Sequence, residues 1–229
     1  MAENDRLRHR FTRCSAVPSI SALLPQPRTR ARVAVYLDGA FGFTISQELV
    51  VQERLSIGTR LNEAQCGALQ VADTQQLALR VAYRYLSYRP RSEAEVRTRL
   101  RKHSDSPEVI DIVVARLKEQ RLLDDVQFAA DYAGQRTQAT PRSRRMVTWE
   151  LRRKGVAADV VEDAVDGLDD EAAAYRAALK RADRLRSLPF VEFRQKLGGF
   201  LQRRGFGYSI SARVITRVWA EVTGADPEE

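Results

Sequence analysis

Leu151-Arg152-Arg153-Lys154-Gly155-Val156, followed by Ala164, Val165 and Leu168, decides how this chain is read, because the pattern occurs three times. Leu100 heads a first copy with Val113, Val114 and Leu117, and Leu201 a third with Val214, Ile215 and Val218; the apolar residues recur 13, 14 and 17 places after each leucine. The copies stand 51 and 50 residues apart. A fixed period of this length marks a repeat protein, in which one helical unit is reused and neighbouring units cover one another's apolar faces.

Each copy divides into helices. Leu77, Val81 and Leu86 are spaced as one face of a helix over 75–88, which Pro90 ends. Ser92 with Glu95 is a capping box, and Ser106-Pro107 opens the next helix. In the second unit Asp124 with Gln127 offers another capping box, and a middle helix from Pro141 to Lys154 ends at Gly155, a residue suited to the left-handed position beyond a helix. Gly205 holds the matching place in the third unit and Ser104 in the first. Ala173, Ala174, Ala177 and Ala178 allow close helix approach, whereas Gly198-Gly199 inside the third middle helix weigh against its continuity by about 1 kcal/mol each.

Upstream the pattern changes. Val33 to Leu37 and Phe41 to Ile45 flank Asp38-Gly39, a strong hairpin signal, with Leu49-Val50-Val51 as a third strand and Asn62 capping a short helix through Ala64, Ala68, Leu69 and Val71. The predicted fold is mainly α: an elongated tandem array of three three-helix repeats (75–124, 125–168, 169–223) preceded by a small β-hairpin-containing module (31–73). A disordered basic tail (1–30) and an acidic tail (224–229) are expected at the ends.

With 229 residues, 44% of them hydrophobic, the chain can bury a substantial core. Its 38 Lys and Arg against 30 Asp and Glu give +8, and only five of the basic residues are lysine. Arginine's planar fork pairs with phosphates and carboxylates, so the bias favours nucleic acid or acidic protein as partner. Cys14 and Cys66 make no CxxC pair and no metal-ligand cluster, so reduced thiols in the cytoplasm are expected. No apolar run is long enough for a membrane span, and the arginine-rich first 30 residues lack the apolar core of a secretory signal.

Catalysis finds no support. The two histidines are His9 in the expected tail and His103 at a helix end, where the helix dipole accounts for it. There is no phosphate-binding glycine loop, no HExxH and no GxSxG, so no catalytic residue, cofactor or metal is expected. Asp124 and Asp125 read as helix caps rather than as a carboxylate pair.

Charge concentrates in the repeats, where residues 76–223 hold 24 arginines and five lysines against 20 acids. The middle helices supply the candidate binding residues: Arg97, Arg101, Lys102, then Arg142, Arg144, Arg145, Arg152, Arg153, Lys154, then Arg194, Arg203, Arg204. Asp159, Glu162, Asp163 and Asp166 open an uncompensated acidic segment suited to contact with protein. Tyr83, Tyr85, Tyr88, Tyr132, Trp149, Phe200, Phe206, Tyr208 and Trp219 could stack on bases, although aromatics at helical spacing are more often core; Tyr85 and Tyr88 beside Arg84, Arg89 and Arg91 are the ones expected to be exposed.

Tyr85-Leu86-Ser87-Tyr88-Arg89-Pro90-Arg91-Ser92, Leu123-Asp124-Asp125 with Phe128-Ala129, Glu150 to Val156, and Arg203-Arg204-Gly205-Phe206, taken in order, resemble the RecX family of bacterial recombination regulators. The resemblance covers about 75–222. It implies a non-enzymatic array of three-helix units that lies along the RecA filament on DNA and modulates, most often inhibits, its ATPase, strand-exchange and co-protease activities, and so regulates DNA repair, recombination and the SOS response. The implied partners are RecA and single- or double-stranded DNA, with a monomer expected. Two other readings of the residues remain: a DNA-binding helical module acting without RecA, and a helical adaptor for another protein.

Overall fold

A computed structural model describes residues 17–26 and 31–224. Three strands and ten helices lie among them, and the chain divides into two compact units between Arg80 and Val81.

The first unit is built on an antiparallel sheet of strands β1 (Ile20–Pro25), β2 (Arg32–Leu37) and β3 (Ala40–Ser46), in that order. Asp38 and Gly39 both take positive φ (47° and 84°), the requirement of a two-residue type I′ turn, so Leu37 pairs with Ala40. β1 corrects the sequence reading: part of the stretch expected as a disordered tail is a strand, with Leu23 opposite Val35 and Leu24 opposite Ala34. Its signal is the apolar cluster Ile20, Ala22, Leu23 and Leu24 between Pro18 and Pro25; a register shift between Ile20 and Ala22 packs Leu23 on the core and leaves Leu24 exposed. Residues 1–16 and 27–30 of that tail, and the acidic tail beyond Gly224, lie outside the described residues. The third expected strand is also corrected. Ser46 caps the Leu49 amide, so Gln47–Gln52 close as helix α1 and turn Leu49 into a core with Ile20, Val35, Phe43, Ile45, Leu61 and Leu69.

Asn62 and Gln65 cap each other reciprocally, and the helix they open, α2, runs unbroken over Glu63–Leu86. The break expected near Thr74 is absent because the polar residues there are satisfied. Buried Asp73 accepts from the Ser46 amide (2.7 Å) and the Arg32 guanidinium (2.6 Å), and the Thr74 hydroxyl donates to the Gln70 carbonyl. Along this helix Leu69, Asp73, Ala78, Leu79 and Ala82 are buried, while Leu77 is exposed.

The second unit contains the repeats. After the end of α2 come α3 (Glu93–Leu100) and α4 (Pro107–Glu119); then α5 (Asp125–Gln138), α6 (Arg144–Arg153) and α7 (Ala158–Val165); then α8 (Asp170–Ala182), α9 (Phe190–Arg203) and α10 (Tyr208–Thr223). Leu100, Leu151 and Leu201 are each fully buried, as are Val113 and Leu117, Val161, and Val218. α9 is continuous through Gly198-Gly199, and Gly198 lies where a methyl group would meet the Ile215 side chain at 3.6 Å, a close helix approach. α6 begins three residues later than expected. Ser143 accepts from the Met146 amide and is the cap, leaving Arg142 outside the helix.

The middle helices meet end to end, and residues at equivalent positions make both joints. The carboxyl end of α6 sits on the amino end of α3: the Ser92 hydroxyl donates to the Lys154 carbonyl at 2.5 Å. The carboxyl end of α9 sits on α6 in the same way, with the Ser143 amide donating to the Arg204 carbonyl at 3.1 Å. Both serines are fully buried. In each joint the positive end of one helix dipole faces the negative end of the next, a favourable alignment. Each joint also has a carboxylate lid. Asp124 caps its own helix α5, while Asp125 accepts from the Glu93 amide at the start of α3; Asp169 caps α8, while Asp170 accepts from the Arg144 amide at the start of α6.

Glycine is required where the helices meet. Gly155 and Gly205 both take left-handed φ (78° and 92°), and an added methyl would overlap the Ala94 methyl in one joint and the Ser143 hydroxyl in the other. Gly167 is also left-handed, at 57°, but faces open space. Gly155→Ala and Gly205→Ala are therefore expected to cost about 3 kcal/mol each in urea unfolding, against about 1 kcal/mol for Gly167→Ala. Equal costs at all three positions would show that the joints are not close-packed.

Candidate functional site

The joints divide the candidate cations into two sets. Arg97 is committed to Glu93 (2.6 Å) and Asp111 (2.5 Å). Lys154 and Arg204, at equivalent places three residues after Leu151 and Leu201, both reach back across a joint: Lys154 to Glu95 at 3.5 Å, Arg204 to the Pro141 carbonyl at 2.8 Å. Arg142 and Arg136 flank Glu150 at 3.2 and 2.9 Å, and Glu150 also accepts from the Tyr132 hydroxyl. Burial, and the nearby charges of Arg142 and Arg136, hold the Arg204 guanidinium below its ordinary range. Arg144 pairs with Asp166 at 3.3 Å. Of these, Lys154 and Arg204 tie one repeat to another, while Arg97, Arg142 and Arg144 pair within their own repeat.

The other set is exposed. Arg101, Lys102, Arg145, Arg152, Arg153, Arg194 and Arg203 have no acidic group within ion-pair distance among the described residues. Arg101 and Lys102 lie just past the end of α3 rather than on it. The place two residues after each buried leucine is Lys102, Arg153 and Arg203, an exposed cation in every repeat. Because the two joints are built alike, these equivalent positions recur at a regular interval from repeat to repeat.

The acidic segment divides the same way. Asp166, Asp169, Asp170 and Glu171 are engaged within the chain, Glu171 by Arg213 at 2.6 Å. Asp159, Glu162 and Asp163 on α7 remain exposed without a cationic partner among the described residues.

Trp149 is more open than its helical spacing suggests. It is 54% exposed, whereas Tyr85 is half-buried beneath the Arg91 guanidinium, 4.1 Å from its ring centre. An open groove of about 560 Å³ runs along the first joint, with Trp149, Tyr85, Thr98 and Arg153 among its lining residues. On α6, Arg145 lies four residues before Trp149, Arg152 three after and Arg153 four after, so one helix face carries the indole and three uncommitted guanidiniums. The Arg153 guanidinium already sits 5.2 Å from the indole centre. A signal is present in the sequence: position 149 falls two before the buried leucine, where the other repeats have the exposed Thr98 and the glycine Gly199.

Among the described residues no cluster of potential metal ligands occurs, and no helix is long and apolar enough to cross a membrane. Comparison with known proteins identifies the architecture. Family models for the first, second and third three-helix domains of RecX match residues 78–117, 124–165 and 169–215, and the RecX N-terminal domain matches 18–62. A regulatory protein RecX of Lactobacillus johnsonii is 30% identical over 93% of this chain and 79% of its own length. The chain belongs to the RecX family. The RecX of Bacillus subtilis is 28% identical over 88% of the chain and 78% of its own length. A crystal structure of regulatory protein RecX superposes with a TM-score of 0.60 at 28% identity, covering 86% of this chain and 98% of that one. RecX from Lactobacillus salivarius, at 23% identity and a TM-score of 0.54, shares the fold over 64% of this chain and 97% of its own. Each matched three-helix domain of this RecX chain contains one middle helix, so the joints lie between domains.

The first joint is pH-sensitive through Glu95. Burial would raise its carboxyl, but hydrogen bonds from Arg89 and the Ser92 amide and the charges of Lys154 and Arg89 outweigh that and hold it below the ordinary glutamate value. A lowered carboxyl stabilises the fold above its unfolded-state value and loses that contribution as pH falls through the folded one. Glu95→Gln should therefore lower stability at about pH 7, and the difference from the parent chain should shrink as pH falls below the ordinary glutamate value, read from urea midpoints at each pH. A difference that does not change with pH would refute the ion-pair account.

Proposed function

We propose that this RecX-family chain is a non-enzymatic regulator of the RecA recombinase filament, acting in the cytoplasm and suppressing the filament's ATP hydrolysis and the strand exchange and co-protease activities that depend on it. The observation that carries the reading is the exposed cation repeated in all three three-helix domains, Lys102, Arg153 and Arg203, in a chain of this family. A filament repeats along its axis, and a protein that repeats its own contacts can engage several protomers at once. Weak ionic contacts then multiply through effective concentration. The exposed carboxylates Asp159, Glu162 and Asp163 give the same chain a surface for basic protein patches. Hydrolysis chemistry belongs to the filament; this chain supplies binding energy that favours one filament state over another.

Adding the purified protein to preformed RecA filaments on single-stranded DNA is expected to suppress ATP turnover in a saturable manner. Unchanged turnover at saturating protein would contradict the reading. Charge reversal of Arg145, Arg152 and Arg153 together should leave helical circular dichroism intact, since none of the three has an acidic partner to lose, and raise the concentration needed for half-suppression by roughly tenfold or more.

A further inference from the structure

The α6 face centred on Trp149 has a chemistry that the electrostatic reading alone does not require. Cations suffice to hold a polyanion, and Trp149, 54% exposed, adds a large aromatic face among them. The other tryptophan, Trp219, is 8% exposed and packs against Phe193 and Phe190. Trp149 instead lines an open groove together with Arg153, whose guanidinium lies 5.2 Å from the indole centre, and Arg145 and Arg152 share its helix face by spacing. The two carboxylates on the groove, Glu95 and Glu150, are neutralised by Arg89 and Lys154 and by Arg136 and Arg142, so they do not set a negative field there.

We propose that Trp149 with Arg145, Arg152 and Arg153 forms a subsite for single-stranded nucleic acid, in which a base stacks on the indole and the flanking phosphates meet the guanidiniums. A duplex keeps its base faces stacked inside, so an exposed ring selects for a strand whose bases are free. The groove offers few groups to read a base edge: Tyr132 is committed to Glu150 and Arg136, which leaves the hydroxyls of Thr98 and Tyr85 among the lining side chains. Stacking without edge readout is tolerant of sequence, and the subsite should accept thymine and adenine strands alike. The inference rests on the regulatory reading above and deepens it by naming what the basic face takes.

The test uses the full chain and a short thymidine oligonucleotide at low salt, with binding followed by tryptophan emission and by the anisotropy of a labelled strand. Quenching of the parent protein is expected, with no change in Trp149→Ala, whose remaining emission comes from buried Trp219. Trp149→Ala should bind roughly tenfold more weakly and Trp149→Phe should recover most of the loss, as stacking on an aromatic face requires. Arg145→Glu, Arg152→Glu and Arg153→Glu combined should lower the slope of log affinity against log salt by about two. Binding without quenching, undiminished binding by Trp149→Ala, or no binding at all overturns the subsite. If Trp149→Ala loses filament suppression but keeps the oligonucleotide, the indole meets protein and the subsite falls while the regulatory reading stands. Oligonucleotide binding as expected, with recombinase turnover untouched, upholds the subsite and removes the regulatory reading.

Discussion

The end-to-end seating of one middle helix on the next is the contact on which the repeat unit depends. A helix leaves unpaired amides at its start and unpaired carbonyls at its finish, and burying either without partners costs more than a hydrogen bond returns. Here each end supplies what the other lacks. The Lys154 and Arg204 carbonyls are taken by Ser92 and Ser143, and the first amides of α3 and α6 by Asp125 and Asp170 from the following repeat. The approach is close enough that the residue past each carboxyl end has to be glycine.

The same logic explains where the pattern lapses. The first repeat has no predecessor in the array for its middle helix to sit on, and Ser104 replaces the glycine. In the third, no further helix seats on the start of the middle helix among the described residues, and that helix begins after Pro189 with no side-chain cap, Phe193 standing where the other repeats have serine. Terminal repeats lose the half of a joint that they do not use.

Much of this is legible in the sequence, because period, caps and the Asp38-Gly39 turn are local signals. Ser92 with Glu95, Ser106-Pro107 and the three buried leucines are where spacing places them. What escapes is nonlocal. The second aspartate of each Leu-Asp-Asp, at Asp125 and Asp170, reads as a cap for its own helix but serves a helix in the preceding repeat. β1 is hidden by the arginines around it, since composition over 30 residues outweighs a short apolar cluster. In the candidate surface, counting charges cannot separate Arg97, Arg142, Lys154 and Arg204, which bond within the chain, from Arg145, Arg152 and Arg203, which form no ion pair there. Spacing alone assigns Trp149 to the core, because it reports which residues share a helix face and not whether another element covers that face.

The fold thereby converts a structural necessity into a surface. Each joint consumes one set of charges and leaves another, displaced by a residue or two along the same helix, facing water. The most direct test is residue-resolved amide hydrogen exchange of the native chain. First amides of helices ordinarily exchange fast, but Glu93, Ser143 and Arg144 should exchange as slowly as amides in the middle of α6 and α9, because their partners lie in the next repeat. Exchange at these three as fast as at free helix starts would mean that the joints do not hold the array together.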